Sequence, residues 1–238
     1  MPGNYSPHHE NDRVYICDSI GRIVSPFHEI PLYPDPPNRA YVNMVVEIPQ
    51  NTRYKMEINK ELPHNPIQCD TVDDQPRQIT YGDGYPYNYG AIPQTWENPM
   101  VPDYVTGLYG DNDPMDCFDI SSIGANTGDV VCLKVIGSIA MVDGGEMDWK
   151  VIGINHADPV AEHINDLSDL SQDQIDRVLD FLTNYKVPDG KPPNVFYDKV
   201  LWSRAQTIRC IAMQHTEWQK LWWMESDHVT PRVARIWR

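Results

Sequence analysis

The stretch DVVCLKVIGSIAMVDGGEMDWKVIGIN, residues 129–155, determines the fold class predicted for this chain of 238 residues. Apolar and β-branched residues dominate 129–142 and 148–155, which predicts two β-strands. The sequence DGGE at 143–146 lies between them and has the glycines of a tight turn. The middle of the chain is therefore expected to contribute strands to a sheet.

The segments on either side of this stretch predict strands before it and helices after it. YVNMVVEIP (41–49) and RYKMEINKE (53–61) predict a hairpin with its turn near QNT. Residues 172–185 carry apolar residues at helical spacing behind a capping box that starts at Ser171, and a second helix is expected over about 202–224. Strands that precede helices along a chain predict an α+β domain with a sheet or barrel core.

Composition and charge exclude several classes of protein. Hydrophobic residues make up 41% of the chain and charged residues 22%, which is enough apolar material for a core. The 34 acidic and 19 basic residues give a net charge of −15, and a nucleic-acid partner would need a basic face instead. No apolar run approaches the length of a membrane span. Five cysteines without a C-x-x-C pair favour a reduced, cytoplasmic compartment.

The stretch DNDPMD holds three aspartates within six residues, at Asp111, Asp113 and Asp116. An acidic surface loop is the simplest interpretation of such a run. A calcium EF-hand loop requires an oxygen ligand at its fifth position and glycine at its sixth, where this stretch has Met115 and Asp116. A site for a hard cation remains, because magnesium and manganese choose carboxylate oxygens and often carry a substrate phosphate.

Two other stretches place a lysine beside carboxylates. In DGGEMDWK, Asp148 and Lys150 are two residues apart, so both side chains point to the same face of a strand. In YKMEI, Lys55 and Glu57 are related in the same way, and Glu47 precedes the predicted turn. Each pair is also compatible with a surface ion pair or with the polar face of an ordinary hairpin.

Tyrosines and a lysine at a helix end complete the set. GYPYNYGAIPQTWENP contains Tyr85, Tyr87 and Tyr89, and YKVPDGK places Tyr185 and Lys186 at the end of the predicted helix. A tyrosine is more often packing than chemistry, and a lysine is common at a helix C-terminus. Together, however, the carboxylates can hold divalent cations, whereas the lysines and tyrosines suit phosphate oxygens. The combination predicts a substrate that is small, highly anionic and chelated by metal.

Five stretches in register resemble the signatures of the soluble family I inorganic pyrophosphatases. They are VNMVVEIP with YKMEI, YNYGAIPQTWENP, GDNDPMD, DGGEMDWKVI and YKVPDGKPPN, in order from about residue 25 to 200. The sequence around PQTWE resembles the eukaryotic branch, and the residues around the motifs are similar to the kinetoplastid acidocalcisomal version. Gly144 and Gln50 depart from the family pattern, which usually has an acidic and a basic residue there.

This resemblance implies an α+β fold with an OB-like five-stranded β-barrel core and flanking α-helices. It implies a magnesium-dependent inorganic diphosphatase that hydrolyses pyrophosphate to two orthophosphates with several Mg2+ ions in each active site. Mn2+ or Zn2+ would substitute for magnesium, and Ca2+ would inhibit. Residues 1–24 would form an N-terminal extension or flexible lead-in, and residues 25–238 a single pyrophosphatase domain.

The resemblance also implies a role for individual residues. The metal ligands would be Asp111, Asp116, Asp148, Asp143 and Glu57, with Glu47 contacting water in the metal shell. Asp116 would lie between the two metals that share the attacking water, and Asp113 would orient and deprotonate that water. Phosphate oxygens would be held by Lys55, Arg77, Tyr89, Lys150, Tyr185 and Lys186, with Tyr85 nearby. Within this set Asp113, Tyr89, Lys55 and Lys150 would be the catalytic residues.

Two other functions stay open at this point. A non-catalytic acidic protein that binds divalent cations would need the carboxylates without the phosphate ligands, and a hydrolase of short polyphosphate would use the same residues. Pyrophosphate and phosphate are the expected partners, without nucleic acid or membrane. An acidic calcium-storing vesicle, the acidocalcisome, is the alternative to the cytoplasm. Near the C-terminus, four tryptophans indicate either core packing or the interface of a homo-oligomer, a dimer or higher: Trp218, Trp222, Trp223 and Trp237.

Overall fold

The structure is a computed structural model that describes residues 4–226. Within this part of the chain the strands are β1 (Ser6–Glu10), β2 (Arg13–Cys17), β3 (Ile23–Val24), β4 (Tyr41–Ile48), β5 (Met56–Ile58), β6 (Ile67–Cys69), β7 (Thr71–Val72), β8 (Gln75–Pro76), β9 (Asn88–Ala91), β10 (Asp116–Asp119), β11 (Val130–Asp143), β12 (Glu146–Asn155) and β13 (Val195–Ser203). The helices are α1 (Gln172–Asn184) and α2 (Arg204–Ser226), and short 3-10 helices span Pro159–Glu162, Leu167–Asp169 and Val187–Asp189.

Five strands form a closed ring at the centre of the molecule. They pair in the order β12, β10, β9, β4 and β11, and β11 pairs again with β12, so the sheet closes on itself. β10 and β12 run parallel, whereas the other pairs of the ring are antiparallel. Closure removes the exposed edges that an open sheet would present. The expected α+β fold with an OB-like five-stranded β-barrel is therefore confirmed, and β13 pairs with β11 outside the ring.

The stretch 129–155 forms the long hairpin of this ring. β11 and β12 pair from Leu133 with Asn155 to Asp143 with Glu146. The turn between them needs Gly144 and Gly145, because their φ angles of 61° and 98° lie in the region that favours glycine. The turn therefore brings the end of β11 close to the start of β12, where Asp143 and Asp148 are found.

The two helices cover opposite faces of the ring strands. Phe181 of α1 belongs to an apolar cluster with Phe118 of β10, and Ile211 of α2 belongs to another cluster with the preceding residue, Cys117. Successive side chains of a strand point to opposite faces of the sheet, so Cys117 and Phe118 face different helices. The helix predicted over 172–185 is confirmed, including its capping box.

The hairpin predicted between residues 41–49 and 53–61 is wrong. Both edges of β4 are already occupied, because Val45 pairs with Val130 of β11 on one side and with Ala91 of β9 on the other. β5 pairs with β6 instead. The chain does turn after β4, but ring closure leaves β4 no free edge for the strand that follows it.

The first described residues form strands as well. β2 pairs with β6 through Val14 and Ile67, and Ile16 is fully buried in a cluster that includes Trp96. The N-terminal extension expected for residues 1–24 stays a prediction, whereas these strands differ from the alternative, a flexible lead-in. The reason is the alternation in RVYIC, which buries one face of β2 against the sheet.

The tryptophans near the C-terminus differ in their surroundings. Trp218 is only 8% exposed and packs in the cluster that contains Ile16, whereas Trp222 and Trp223 are 45% and 66% exposed. Trp237 lies outside the described residues. Among the described helices, none has both the length and the apolar character needed to cross a bilayer.

Candidate active site

A cleft of about 380 Å³ is lined by polar side chains from many separate segments of the chain. The fourteen residues to which the family resemblance assigns a role all line it: Glu47, Lys55, Glu57, Arg77, Tyr85, Tyr89, Asp111, Asp113, Asp116, Asp143, Asp148, Lys150, Tyr185 and Lys186. They are spread over more than half of the sequence, so only the fold brings them together. The structure thus places every predicted site residue at one location, while the role of each remains a prediction.

The acidic loop DNDPMD reaches the cleft on a backbone fixed by its neighbours. Gly110 passes so close to Glu97 that a Cβ on Gly110 would overlap the Glu97 carbonyl group. The Asn112 amide donates to the carbonyl oxygen of Glu97 at 2.9 Å, and the Glu97 amide donates to the carbonyl oxygen of Asp113 at 2.8 Å. Asn112 adopts a left-handed conformation, with φ 72°, and the Asp113 amide donates to the Asp111 carboxylate at 3.0 Å. These bonds hold the Asp111 and Asp113 side chains in the cleft.

Lys150 lies at the centre of the carboxylates. It pairs in register with Asp116 across the parallel strands β10 and β12, and Asp148 lies on the same face two residues earlier. Its ammonium donates to both carboxylates and, at 3.1 Å, to the phenolic oxygen of Tyr89. Burial alone would lower the pKa of Lys150, but Asp116 and Asp148 outweigh it and hold that pKa well above its usual value. Lys150 therefore stays positively charged in the cleft.

An irregularity in β4 directs Glu47 into the cleft. The register of β4 against β9 shifts between Val46 and Ile48, which is the pattern of a β-bulge. The Glu47 carboxylate then accepts a hydrogen bond from the Ile58 amide at 2.7 Å. Burial raises the pKa of Glu47 well above its usual value, and the charge of Asp116 adds to this. Glu47 is therefore held in place while its ionisation depends on the charges around it.

Arg77 and Lys55 share a carboxylate partner. The guanidinium of Arg77 pairs with Asp70 at 3.0 Å and with Asp189 at 3.8 Å, and the Lys55 ammonium lies 3.6 Å from the same Asp70 oxygen. Lys55 also donates to the Glu57 carboxylate. The Asp70 carboxylate therefore lies between two predicted phosphate ligands and limits where both can point.

The C-terminal end of α1 brings Tyr185 and Lys186 to the cleft. The Tyr185 ring stacks on Phe181, with the ring centroids 5.3 Å apart. The Lys186 ammonium forms an ion pair with Asp143 at the end of β11. A cation is favoured at the C-terminus of a helix by the helix dipole, and here it also has a carboxylate partner. This pair closes one side of the cleft.

Tyr85 and Tyr89 form an aromatic wall of the cleft. Their ring centroids are 5.0 Å apart, and Tyr85 is buried. Burial raises the pKa of both phenols well above the usual value, and the charge of Asp116 adds to this effect. Both therefore stay protonated at neutral pH and can donate to an anion. Tyr87 differs from these two tyrosines, because the guanidinium carbon of Arg177 lies over the Tyr87 ring, 5.7 Å from the ring centroid.

Three carboxylates lie close enough together to share one cation. Glu97, Asp111 and Asp148 can place oxygens within 4.8 Å of one another. Burial and the charge of Asp148 raise the pKa of Asp111, and Glu97 is 1% exposed with an Oε2 atom that has no hydrogen-bond partner among the described residues. A buried carboxylate without a partner is costly, and a divalent cation would relieve both the missing contact and the repulsion. These oxygen donors fit a hard cation such as Mg2+.

Comparison with known proteins identifies the family of the chain. A family profile described as Inorganic pyrophosphatase matches residues 44–219, which is most of the chain. The chain belongs to the inorganic pyrophosphatase family. The inorganic pyrophosphatase of Drosophila melanogaster is 42% identical over 217 residues, which cover 87% of this chain and 63% of the relative. The chain therefore spans less than two thirds of the length of that pyrophosphatase.

Solved structures of pyrophosphatases have the same fold. The inorganic pyrophosphatase of Schistosoma japonicum is 39% identical, with a TM-score of 0.86 over 91% of this chain and 80% of that chain. The vacuolar soluble pyrophosphatase of Trypanosoma cruzi, solved with its N-terminal domain truncated and in complex with PPi, is 34% identical. Its TM-score is 0.82, over 91% of this chain and 90% of that chain.

Three polar residues that lie beside predicted site residues were not themselves predicted from the sequence: Glu97, Lys60 and Asp70. Glu97 lies in the stretch PQTWENP, but only the fold brings it close to Asp111 and Asp148. Lys60 follows YKMEI, and its ammonium contacts the acidic loop at Asn112, 52 residues further along the chain. The sequence does contain the lysine and the carboxylates, but it has no spacing signal that would join them.

Proposed function

We propose that this chain is an inorganic diphosphatase that hydrolyses pyrophosphate to two orthophosphates in this cleft. One observation carries the proposal. Carboxylates that can hold divalent cations and lysines, an arginine and tyrosines that can hold phosphate oxygens line the same cleft of about 380 Å³. A non-catalytic cation-binding protein would not need the second set. Membership of the inorganic pyrophosphatase family supports the same activity.

The carboxylates divide into two proposed groups. Asp111, Asp116 and Asp148 would hold the activating cations, while Asp143 and Glu57 would hold cations that arrive with the substrate. Glu47 would contact water in the shell of these cations. Mg2+ is the proposed cofactor, with Mn2+ or Zn2+ as substitutes. When bound, such cations neutralise phosphate charge and lower the pKa of water.

The proposed phosphate ligands surround this group. They are Lys55, Arg77, Tyr85, Tyr89, Lys150, Tyr185 and Lys186. The lysines and the arginine would offset the charge of pyrophosphate, and the protonated phenols would donate hydrogen bonds to its oxygens. Three of the lysines contact proposed cation ligands, so their ammonium groups already lie in the cleft before the substrate binds. Charged groups that are placed in the site beforehand reduce the cost of ordering them during the reaction.

Asp113 is proposed to act on the attacking water. The water oxygen forms a bond to one phosphorus while the bond from that phosphorus to the bridging oxygen breaks. The bridging oxygen leaves with its electron pair as part of the second phosphate, and the Asp113 carboxylate accepts the proton of the water. Tyr89, Lys55 and Lys150 would stabilise the charge that develops on the phosphate oxygens.

Phosphate release from pyrophosphate tests the proposal. The purified protein is expected to release phosphate with Mg2+ and to lose this activity in excess chelator. Tripolyphosphate in a parallel assay tests whether short polyphosphate is also a substrate. Equal release with and without chelator would contradict the metal dependence, and cation binding without any release would favour the non-catalytic alternative.

Three further proposals concern the whole protein. Residues 25–238 are proposed to form one pyrophosphatase domain, to which β1 and β2 add strands. A homo-oligomer, a dimer or higher, is proposed because Trp222 and Trp223 on α2 are 45% and 66% exposed, and sedimentation velocity would test it. The cytoplasm is the proposed compartment, with the acidocalcisome as the alternative suggested by the vacuolar relative, and imaging of a tagged chain would distinguish them.

A further inference from the structure

Lys60 contacts the acidic loop at two points. It lies two residues beyond the end of β5, and its ammonium donates to the carbonyl oxygen of Asn112 at 2.8 Å. The same ammonium forms an ion pair with the carboxylate of Asp113, the next residue. One cation thus holds both the backbone and the side chain at the centre of the loop.

Both ends of this contact are anchored. On the side of Lys60, the Ile58 amide donates to the Glu47 carboxylate at 2.7 Å, and the Asn59 amide donates to the Pro66 carbonyl oxygen at 2.9 Å. On the side of the loop, the Trp96 indole donates to the Asn112 side chain at 3.0 Å. An ion pair between two freely moving side chains contributes little, but this one joins two segments whose backbones are already fixed.

Lys60 also differs from the other lysines of the cleft in its partner. Lys55, Lys150 and Lys186 pair with carboxylates that are proposed to hold divalent cations. Lys60 pairs with Asp113, the carboxylate proposed to act on water. Cations that bind to the proposed ligands would therefore compete with the first three lysines, while the pair of Lys60 and Asp113 can persist until Asp113 accepts the proton of the water.

We propose that Lys60 is a positioning residue for Asp113 and keeps its carboxylate in the orientation that accepts the proton of the attacking water. This inference rests on the proposed function. Lys60 need not touch pyrophosphate, so its removal should lower kcat and leave KM for pyrophosphate nearly unchanged. Misplacing a catalytic group by about 1 Å can cost on the order of 100-fold in rate. Because Asp113 keeps its backbone contacts, a smaller loss of roughly 10-fold in kcat is expected for Lys60→Met.

A set of matched variants tests this inference: Lys60→Met, Lys60→Arg, Asp113→Asn, the double variant Lys60→Met with Asp113→Asn, and Lys220→Met as the control. Lys220 forms an ion pair with Glu217 on α2 and does not line the cleft. For each variant, kcat and KM for pyrophosphate are measured at saturating Mg2+. Hydrogen exchange of peptides covering residues 109–118, measured in chelator, reports the loop without depending on activity.

The expected results are specific to positioning. Lys60→Met is expected to lower kcat, whereas Lys60→Arg should keep most of the wild-type kcat. In the Asp113→Asn background, adding Lys60→Met should change kcat by less than about two-fold, because the effects of coupled residues are not additive. The backbone amides of the loop should exchange faster in Lys60→Met and at the wild-type rate in Lys220→Met. The Arg variant and the exchange data also distinguish lost positioning from failed folding.

Several results would overturn the inference. They are a wild-type kcat in Lys60→Met, an equal loss in both Asp113 backgrounds, or a raised KM with kcat unchanged, which would make Lys60 a substrate ligand. In these cases the wild-type protein still releases phosphate, and the proposed function stands. A wild-type protein without magnesium-dependent phosphate release would overturn both.

Discussion

Asp116 and Lys150 occupy paired positions on two parallel strands, and their side chains form an ion pair that is largely shielded from water. The Lys150 side chain is 4% exposed and that of Asp116 is 19% exposed. The same ammonium contacts Asp148, so one lysine lies between two carboxylates. A buried charge is tolerated when it has a partner of opposite sign. Lys150 is thus the counter-ion that the chain itself provides for this pair of carboxylates.

Removing that counter-ion should destabilise the protein in a way that depends on metal. In Lys150→Met, Asp116 and Asp148 would face each other without a cation, and breaking a buried pair costs about 3–5 kcal/mol of unfolding free energy. Mg2+ should recover part of this loss, because a divalent cation can replace the lysine. Urea unfolding at pH 7, with and without chelator, measures both effects.

Lys220→Met provides the matched control for this measurement. Its ion pair with Glu217 is exposed, so a loss below about 1 kcal/mol is expected in either condition. An equal destabilisation of Lys150→Met with and without Mg2+ would contradict the idea that these carboxylates hold a cation.

Calcium is expected to inhibit the magnesium-supported reaction. It forms bonds of about 2.3–2.6 Å in a flexible shell, whereas magnesium requires near-octahedral geometry at about 2.0–2.1 Å. Calcium should therefore bind the same carboxylates but place water and phosphate badly. A calcium titration at fixed Mg2+ measures this, and unchanged or faster phosphate release would count against the proposed geometry.

Local patterns in the sequence were sufficient for much of the fold. The hairpin over 129–155 follows from two apolar strands and a glycine turn, and α1 follows from its spacing and its capping box. The pairing of β4 did not follow, because adjacency along the chain favoured 53–61 as its partner. Closure of the ring gives both edges of β4 to β9 and β11, and such a non-local contact leaves no local signal.

The candidate site could be predicted because family resemblance, unlike spacing, carries information on what the fold brings together. The motifs that contain Asp113 and Lys150 are far apart in the sequence, but the resemblance assigned both to one site and both line the same cleft. Glu97 and Lys60 show where this information ends. Glu97 is buried next to Trp96 in the stretch PQTWENP, and Lys60 reaches Asp113 only because the residues after β5 pass near the acidic loop.

His28 should make stability depend on pH. His28 is 6% exposed, its Nδ1 accepts a hydrogen bond from the Trp218 indole at 2.9 Å, and burial lowers the pKa of His28 to about 3. The unfolded chain binds this proton near pH 6.5 and the folded protein does not, so stability is present above pH 6.5 and falls as the pH drops towards 3. His28 should lower the free energy of unfolding by about 1.4 kcal/mol for each pH unit below 6.5.

The variant His28→Asn separates this effect from other titrations. The Asn side chain keeps an oxygen that can accept from Trp218 but cannot titrate. Urea unfolding in chelator between pH 7 and 5 should show a steeper loss of stability for the wild type than for the variant. Parallel curves would mean that His28 is protonated, or becomes exposed, in the folded protein.

Asp113 and Asp116 are three residues apart, yet their replacement should have different effects. Asp116→Asn removes a proposed metal ligand, so half-maximal activity should require more Mg2+. Asp113→Asn removes the proposed proton acceptor, so turnover should fall by roughly 10²- to 10⁴-fold while calorimetry shows Mg2+ binding close to that of the wild type. The remaining activity should need a higher pH, where hydroxide is more abundant and the lost acceptor matters less. Turnover against pH at saturating Mg2+ decides the assignment: if Asp113→Asn keeps the wild-type rate and pH profile, another group accepts the proton.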